Sequence, residues 1–403
     1  MMRWSTAGES HGQSLIALLE GMPAGVEISE HDIKNALYRR RVGYGRGSRQ
    51  KFEKDEIKIL SGLIQGQSIG SPIAIEICNP EWEKWKTVMN PQPISTSDLE
   101  LENGRGDARE LPRGKPLTCP RPGHADLAGM NKYGFTDIRP VLERASARET
   151  AARVVLGSLT ASFLEQAAGI KITSQIVRVG KVAAENYRTA TAADIPALDA
   201  SPVRTLNQKT EKLFCAEIDK AKKSGDTVGG IAEITAEGVP TGLGTYAVPA
   251  NRLDAKVAGA MMSIPAVKGV EIGAGFAAAA QYGTSVHDEM IRKANHLERL
   301  SNNAGGIEGG ISNGATLVVR IAFKPISTVP RALRTIDIST GAETAAIHQR
   351  SDTTAIVPGS IIGEAMLALV LAEAMVEKFG GDSLAEVRRN LANFQAAIPP
   401  ERK

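Results

Sequence analysis

The chain has 403 residues, 42% hydrophobic and 23% charged, with a net charge of only +3 at pH 7. This is an ordinary soluble composition with material for a large core, and near-balanced charge with 4% aromatic residues argues against a nucleic-acid binder, which needs a basic field and rings for stacking. Cys78, Cys119 and Cys215 are too widely spaced for a disulfide framework or a zinc site, and MMRWSTAGESHG has no apolar signal region, so a reducing cytoplasm is expected and no membrane span.

Residues 13–20 (QSLIALLE) read as a buried strand, and Ser29 caps a helix over 30–41, with Asp32 placed to complete the cap. Residues 57–60 and 72–78 (PIAIEIC) read as strands, the second with period-two alternation. Residues 88–116 are rich in Pro, Gly and charge and are expected to form a long mobile loop. Residues 143–169 read as one long helix dense in small side chains and closed by Gly169. Strands are expected over 170–179, 230–236 and 316–323, and an exposed amphipathic helix over 207–223. Residues 360–379 (SIIGEAMLALVLAEAMVEKF) are apolar nearly all round and predict a central buried helix closed by Gly380. A last helix starts at a capping box, Ser383 to Glu386, and residues 382–403 form that helix and a tail. No repeat and no Pro/Ser-rich linker divides the chain, so one α+β domain over 1–403 is expected.

The chemistry gathers in loops. RRRVGYGRGSR, residues 39–49, holds five arginines and three glycines and no carboxylate, so it suits either an anion gripped by guanidinium forks or a solvated basic face. His11 in GESHG and His124 in PRPGHAD lie in small-residue turns rather than on apolar faces, the setting of a proton-transfer histidine more than of a packed one. His31, His287, His296 and His348 have no such setting and read as surface or structural. Arg144 and Arg148 share a helix face; NNAGGIEGGISNG (302–314) offers backbone to a ligand; KPISTVPR (324–331) supplies a lysine and hydroxyls. Each of these stretches, alone, fits a solvated turn as well.

Together they fit something narrower. AGESHG, RRRVGYGRG, PRPGHAD, RASARETAARV, GDTVGG, KGVEIG, AGGIEGG, KPIST and HQRSD, in this order, closely resemble the chorismate synthase family up to about Gly381. The resemblance implies a helical layer sandwiched between antiparallel sheets, a tetramer, and 1,4-anti elimination of phosphate from 5-enolpyruvylshikimate 3-phosphate to chorismate. It implies reduced FMN, used without net redox change, which lends electron density as phosphate leaves. NADPH is the reductant, against Arg40 and Arg46, in members that reduce their own flavin; a separate flavin reductase serves the others.

The resemblance also carries roles onto residues. Arg40, Arg46, Arg49, Arg121, Arg148 and Arg350 match anion-site arginines. His11 matches the acid for the departing phosphate, His124 the imidazole beside the flavin ring, and Asp352 the group that takes a flavin proton. Flavin contacts map to Arg144, Ala145, Ser146, Pro265, Ala266, Gly309, Lys324, Pro325, Ile326, Ser327, Thr328 and Arg350. The chain departs from the pattern at Pro265 (commonly Gln), Phe323 (commonly Met) and Thr353 with Thr354, which bears on flavin affinity. Because the basic loop carries no acid, the cluster is expected to be electrostatically strained and loosely ordered until a ligand tightens it.

Two other readings compete. Residues 271–279 (EIGAGFAAA) contain a G-x-G-x-x-A match to a dinucleotide fingerprint, a weak signal in a chain without parallel βαβ rhythm. A non-enzymatic phosphate or RNA binder could use the arginine loop, and would show steep salt dependence.

Overall fold

Four antiparallel strands, β1 (Arg3–Ala7), β2 (Ser14–Glu20), β3 (Ile57–Ser61) and β4 (Ile73–Cys78), form one sheet in the order β1-β2-β4-β3. Period-two alternation makes its inner face: Leu15, Ala17 and Leu19 lie directly opposite Ile77, Ile75 and Ile73, and all six are buried. The computed structural model describes residues 2–47, 55–102, 113–293, 296–346 and 352–402.

The second sheet holds β5 (Lys171–Val179), β6 (Val182–Ala183), β7 (Gly230–Glu237), β8 (Val267–Ile272) and β9 (Leu317–Phe323), antiparallel in the order β8-β9-β7-β5-β6. Residues Ala232 to Ala236 of β7 are buried without alternation, because both faces are covered. On one side lie the central helices. On the other lies the chain near residue 190, where Gln175 donates to the Arg188 carbonyl (2.8 Å) and Thr235 to that of Ala190 (2.9 Å).

Between the sheets run α1 (Glu30–Arg41), α2 (Thr150–Ala168) and, after the outer helix α3 (Gln208–Lys223), α4 (Ile356–Phe379); α5 (Leu384–Ala397) follows. Helix α2 packs on β2, and α4 on β5 and β7, so the order is sheet, helices, sheet. This is the α+β sandwich expected above. Helix α4 is long and apolar enough to cross a membrane, but it is buried here as the core helix. Helices α2 and α4 meet where residue 157 has no side chain: a Cβ on Gly157 would stand 2.3 Å from Ala365 Cβ and 2.4 Å from its Cα.

One polar knot crosses this apolar layer. Glu364 of α4 accepts from Arg39 (2.8 and 3.1 Å), Ser174 (2.6 Å) and Arg204 (3.2 Å), and Arg39 also meets Asp199 (3.0 Å). Burial opposes the charge on Arg39, but Glu364 and Asp199 outweigh it and hold its pKa above the ordinary arginine value. The knot fixes the end of α1 from which the basic loop departs.

The caps at Ser29, which accepts from the Asp32 amide (3.4 Å), and at Ser383, reciprocated by Glu386 (3.3 Å), form where the sequence places them. Several expectations need correction. Strand β1 went unread, since its burial does not alternate. Residues 88–116 are not all loop: they include a helix, Thr96–Glu102, and 103–112 lie outside the described residues. Helix α4 starts at Ile356, since Pro358 in a first turn breaks nothing. The long helix over 143–169 is two: a short helix ends at Arg144, Ser146 turns extended (φ −66°, ψ 141°), and α2 begins at Thr150. Ser146 accepts from the Arg148 amide (3.3 Å), the local bonding by which serine competes with a helix interior.

Gly157→Ala separates two effects of opposite sign. Helix propensity alone favours alanine by about 1 kcal/mol, whereas overpacking against Ala365 should destabilise by roughly 1–3 kcal/mol. Urea unfolding should show a net loss; a gain would mean the helices have room to part.

Candidate active site

A cavity of about 750 Å³ opens at the end of the helical layer. Its wall comes from the β1–β2 loop, the end of α1 and its loop, the segment around His124, the broken helix, Pro265 and Ala266, the segment after β9, and the start of α4. Residues Arg144 to Thr150 line it without interruption, which a continuous helix, turning its residues to all sides, would not allow. Among the described residues the lining holds seven cationic side chains (Arg40, Arg46, Arg121, Arg144, Arg148, Arg153, Lys324) against two carboxylates, Glu149 and Asp352. Leu142, Phe323, Ile326 and Ile362 add an apolar surface. Such a lining suits a ligand with a flat apolar ring and several anionic groups.

Both loop histidines face this cavity. Gly8, at φ 100°, turns the chain toward β2; a Cβ there would meet the Ser14 carbonyl oxygen at 2.3 Å. Three residues on, His11 Nδ1 lies 2.9 and 3.0 Å from the two carboxylate oxygens of buried Glu143. His124 Nδ1 is 2.5 Å from Asp126 Oδ1. Asp126, fully buried, also takes the Arg121 amide (2.9 Å) and two guanidinium bonds (2.8 and 3.0 Å). Burial works against ionisation of Asp126, but His124 and Arg121 outweigh it and hold its carboxyl well below the usual carboxylate range.

The expectation that the arginines lack acidic partners is wrong. Arg46 pairs with Asp352, which also accepts from the Gly47 amide (2.6 Å). Arg148 pairs with Asp55, which lies 3.9 Å from Arg40 as well. Arg40 donates to Thr150 Oγ1 (3.1 Å) and the Ala147 carbonyl (3.2 Å), and Arg153 to Glu149 (3.0 and 3.1 Å). Asp352 stands far along the chain and Asp55 lies just past the basic stretch, so that stretch read by itself looks uncompensated; with them the strain argued from missing acids loses its premise. Arg144 donates to the carbonyls of Gly8 (3.1 Å) and Thr6 (2.9 Å). Lys324 Nζ donates to the Gly123 carbonyl, and burial together with nearby Lys268 lowers its pKa.

The chorismate synthase family model matches residues 2–376. A chorismate synthase of Beutenbergia cavernae is 54% identical over 405 residues, covering all of both chains, and that of Corynebacterium aurimucosum is 53% identical, covering 99% of this chain and 98% of its own. The chain belongs to the chorismate synthase family. It is therefore an enzyme, as the nine ordered motifs imply. A crystal structure of chorismate synthase, 36% identical, superimposes with a TM-score of 0.75 and 98% coverage of each chain.

Of the residues matched to chorismate synthase roles, His11, His124, Asp352, Arg40, Arg46, Arg121, Arg148, Arg144, Ala145, Ser146, Pro265, Ala266, Lys324, Ile326, Ser327 and Thr328 line the one cavity. Arg49 and Arg350 lie outside the described residues. Pro325 and Gly309 are not among its lining residues; Gly309 sits in a hairpin between Ile307–Glu308 and Ile311–Ser312. Ala266 stands at φ 71°, unfavourable by about 1–2 kcal/mol for a residue with a Cβ, and its carbonyl accepts from the Lys324 amide (2.9 Å), which ties two lining segments together. The Phe323 ring lies against Gly359 at the start of α4. Thr353 donates its amide to the Gly45 carbonyl (2.8 Å), so the residues that depart from the pattern there brace the basic loop.

Sequence reasoning missed Glu149, Arg153 and Thr6, although Glu149 and Arg153 stand four apart in RASARETAARV. Asp55 carried no motif signal at all. The dinucleotide reading of residues 271–279 fails, because β8 is antiparallel to β9 and Gly275–Ala280 is a 3₁₀ turn, not a helix starting a βαβ unit.

Asp126→Asn leaves Arg121 buried without its carboxylate and should lower stability at pH 7 by roughly 3–5 kcal/mol. The depressed carboxyl stabilises the fold above the unfolded aspartate value of about 3.9 and loses that contribution as pH falls through the lower folded value. Urea unfolding of the two proteins should therefore converge below pH 4 and differ most near neutrality.

Proposed function

We propose that this cavity carries out the reaction for which the family is named, forming chorismate from 5-enolpyruvylshikimate 3-phosphate by 1,4-anti elimination of phosphate in the shikimate pathway. The single observation that carries the proposal is that His11 and His124 open on one cavity whose lining, among the described residues, is seven cations to two carboxylates. A substrate with a phosphate and two carboxylates matches that excess, and guanidiniums bind such groups in pairs of hydrogen bonds.

Arg40, Arg46, Arg121 and Arg148 gather the anionic substrate, and their carboxylate partners aim them. His11 gives a proton to the departing phosphate oxygen, the task of a general acid near neutral pH. FMN fits the remaining wall: the apolar side chains suit its ring system, and Arg144 to Ser146, Pro265, Ala266, Lys324 and Ile326 to Thr328 would hold it. Reduced FMN, when bound, supplies electron density to the carbon that loses phosphate. His124, held by Asp126, presents its imidazole at that wall. Asp352, aimed by Arg46 and the Gly47 amide, is the carboxylate that takes a proton there. In the same reading the enzyme works in the cytoplasm as a homotetramer, with flavin reduced by NADPH at Arg40 and Arg46 or by a separate reductase.

An anaerobic assay with chemically reduced FMN tests this. Chorismate and phosphate should appear in equal amounts without net flavin oxidation; no phosphate release would refute the proposal, and product from oxidised FMN with NADPH would show self-reduction. His11→Ala should slow turnover by about 10²–10⁴-fold while flavin titration stays near that of the unaltered enzyme. An equal loss of flavin affinity would show the role is misassigned.

A further inference from the structure

Outside the cavity lining stands a carboxylate with no part in the chemistry above. Glu143, next to last in the short helix Arg139–Arg144, is 1% exposed. It holds the GESHG turn at three points. Its backbone carbonyl accepts from the Ser10 amide (3.1 Å), its Oε2 from the His11 amide (2.9 Å), and both carboxylate oxygens face His11 Nδ1 at 2.9 and 3.0 Å. The Trp85 ring covers the imidazole with centroids 4.0 Å apart and planes tilted by 31°. Behind Trp85 lie the guanidiniums of Arg113 (5.2 Å) and Arg139 (5.9 Å), and Arg139 Nη1 is 3.8 Å from Glu143 Oε1. Among the described residues the charged groups around this imidazole include Glu143, these two arginines, and the cations and two carboxylates of the cavity.

We propose that Glu143 is the positioning residue for His11, fixing a proton on Nδ1 so that Nε2 is the nitrogen that exchanges a proton with the substrate. This rests on the reading of His11 as the acid for phosphate departure. An ionised carboxylate only accepts hydrogen bonds, so an imidazole nitrogen held between its two oxygens must carry hydrogen. The charged ring then has its transferable proton on Nε2; when that proton passes to a phosphate oxygen, the neutral ring is left with hydrogen on Nδ1, the tautomer Glu143 already accepts from. Free histidine prefers the opposite tautomer. A carboxylate behind a catalytic imidazole does the same work in the hydrolase triads. Trp85 and the backbone bonds stop the ring from turning away.

A brace that merely holds the turn would accept the same bonds, so the test needs a readout that a brace would not move. In Glu143→Gln the shape is kept, but an NH2 group replaces one of the two oxygens that face Nδ1, and with the remaining oxygen still taking the His11 amide that NH2 opposes a hydrogen on Nδ1 and donates to a bare Nδ1. Nitrogen-15 NMR of histidine-labelled enzyme, assigned with His11→Asn, should show neutral His11 as the Nδ1–H tautomer in the natural protein and a shift toward Nε2–H in Glu143→Gln. The variant's kcat should fall on the order of 10²–10⁴-fold, with KM and FMN affinity little changed. The proposal is overturned if the natural protein carries its proton on Nε2, a measurement that needs no variant to fold. It is also overturned if Glu143→Gln keeps the tautomer and loses activity only in step with its melting temperature. Unimpaired turnover in His11→Ala would instead sink the acid role while leaving the tautomer assignment standing.

Discussion

Among the described residues the cavity gathers seven cations, and five of them, Arg40, Arg46, Arg121, Arg148 and Arg153, stand beside carboxylates, while Arg144 and Lys324 donate to backbone carbonyls. Like charges about 4 Å apart repel by roughly 4 kcal/mol at the effective dielectric of a protein site. The chain answers with carboxylates, two from distant positions, Asp55 behind Arg148 and near Arg40 and Asp352 beside Arg46, and two from close by, Asp126 behind Arg121 and His124 and Glu149 beside Arg153. Each leaves its cation charged but aimed. The pairings of Arg46 with Asp352 and of Arg148 with Asp55 join positions 306 and 93 apart and so exist only in the folded chain.

The sandwich supplies the rigid frame for that arrangement. Close contact between α2 and α4 at Gly157 brings the broken helix and the start of α4 to the same end of the layer, where both face the cavity. The knot at Glu364 ties α1 into the layer through Arg39, so the neighbouring Arg40 enters the cavity at a fixed angle. Burial of that knot is tolerable because each charge in it is met by an opposite one, although removing a single member would strand the rest.

The sequence made some of this plain and hid the rest. Alternation in PIAIEIC, the all-round apolarity of α4 and the serine caps are local signals, and the corresponding elements form. The arginine loop announced an anion site, but its compensating acids were invisible because nothing in residues 39–49 points to Asp55 or Asp352. Glu143 was read as the start of a long helix and Ser146 as part of its first turn, since a 3.6-residue pattern cannot show a cap within it; only the contact between Glu143 and His11, 132 positions apart, gives the first of them a role. The shared motifs located most of the cavity lining, although Pro325 and Gly309 are not part of it.

The interruption after Arg144 has a practical side. By local criteria it is a flaw: a serine breaks a stretch of alanines, and a sequence tuned for thermal endurance would exchange Ser146 for a stronger helix former. Healing the break would wind residues 145–149 back onto the cylinder and carry Arg148 and Glu149 off to different sides of it. Heat-tolerant redesigns of this scaffold should leave that irregular joint alone and seek their gains on the outward surface of α3 or α5.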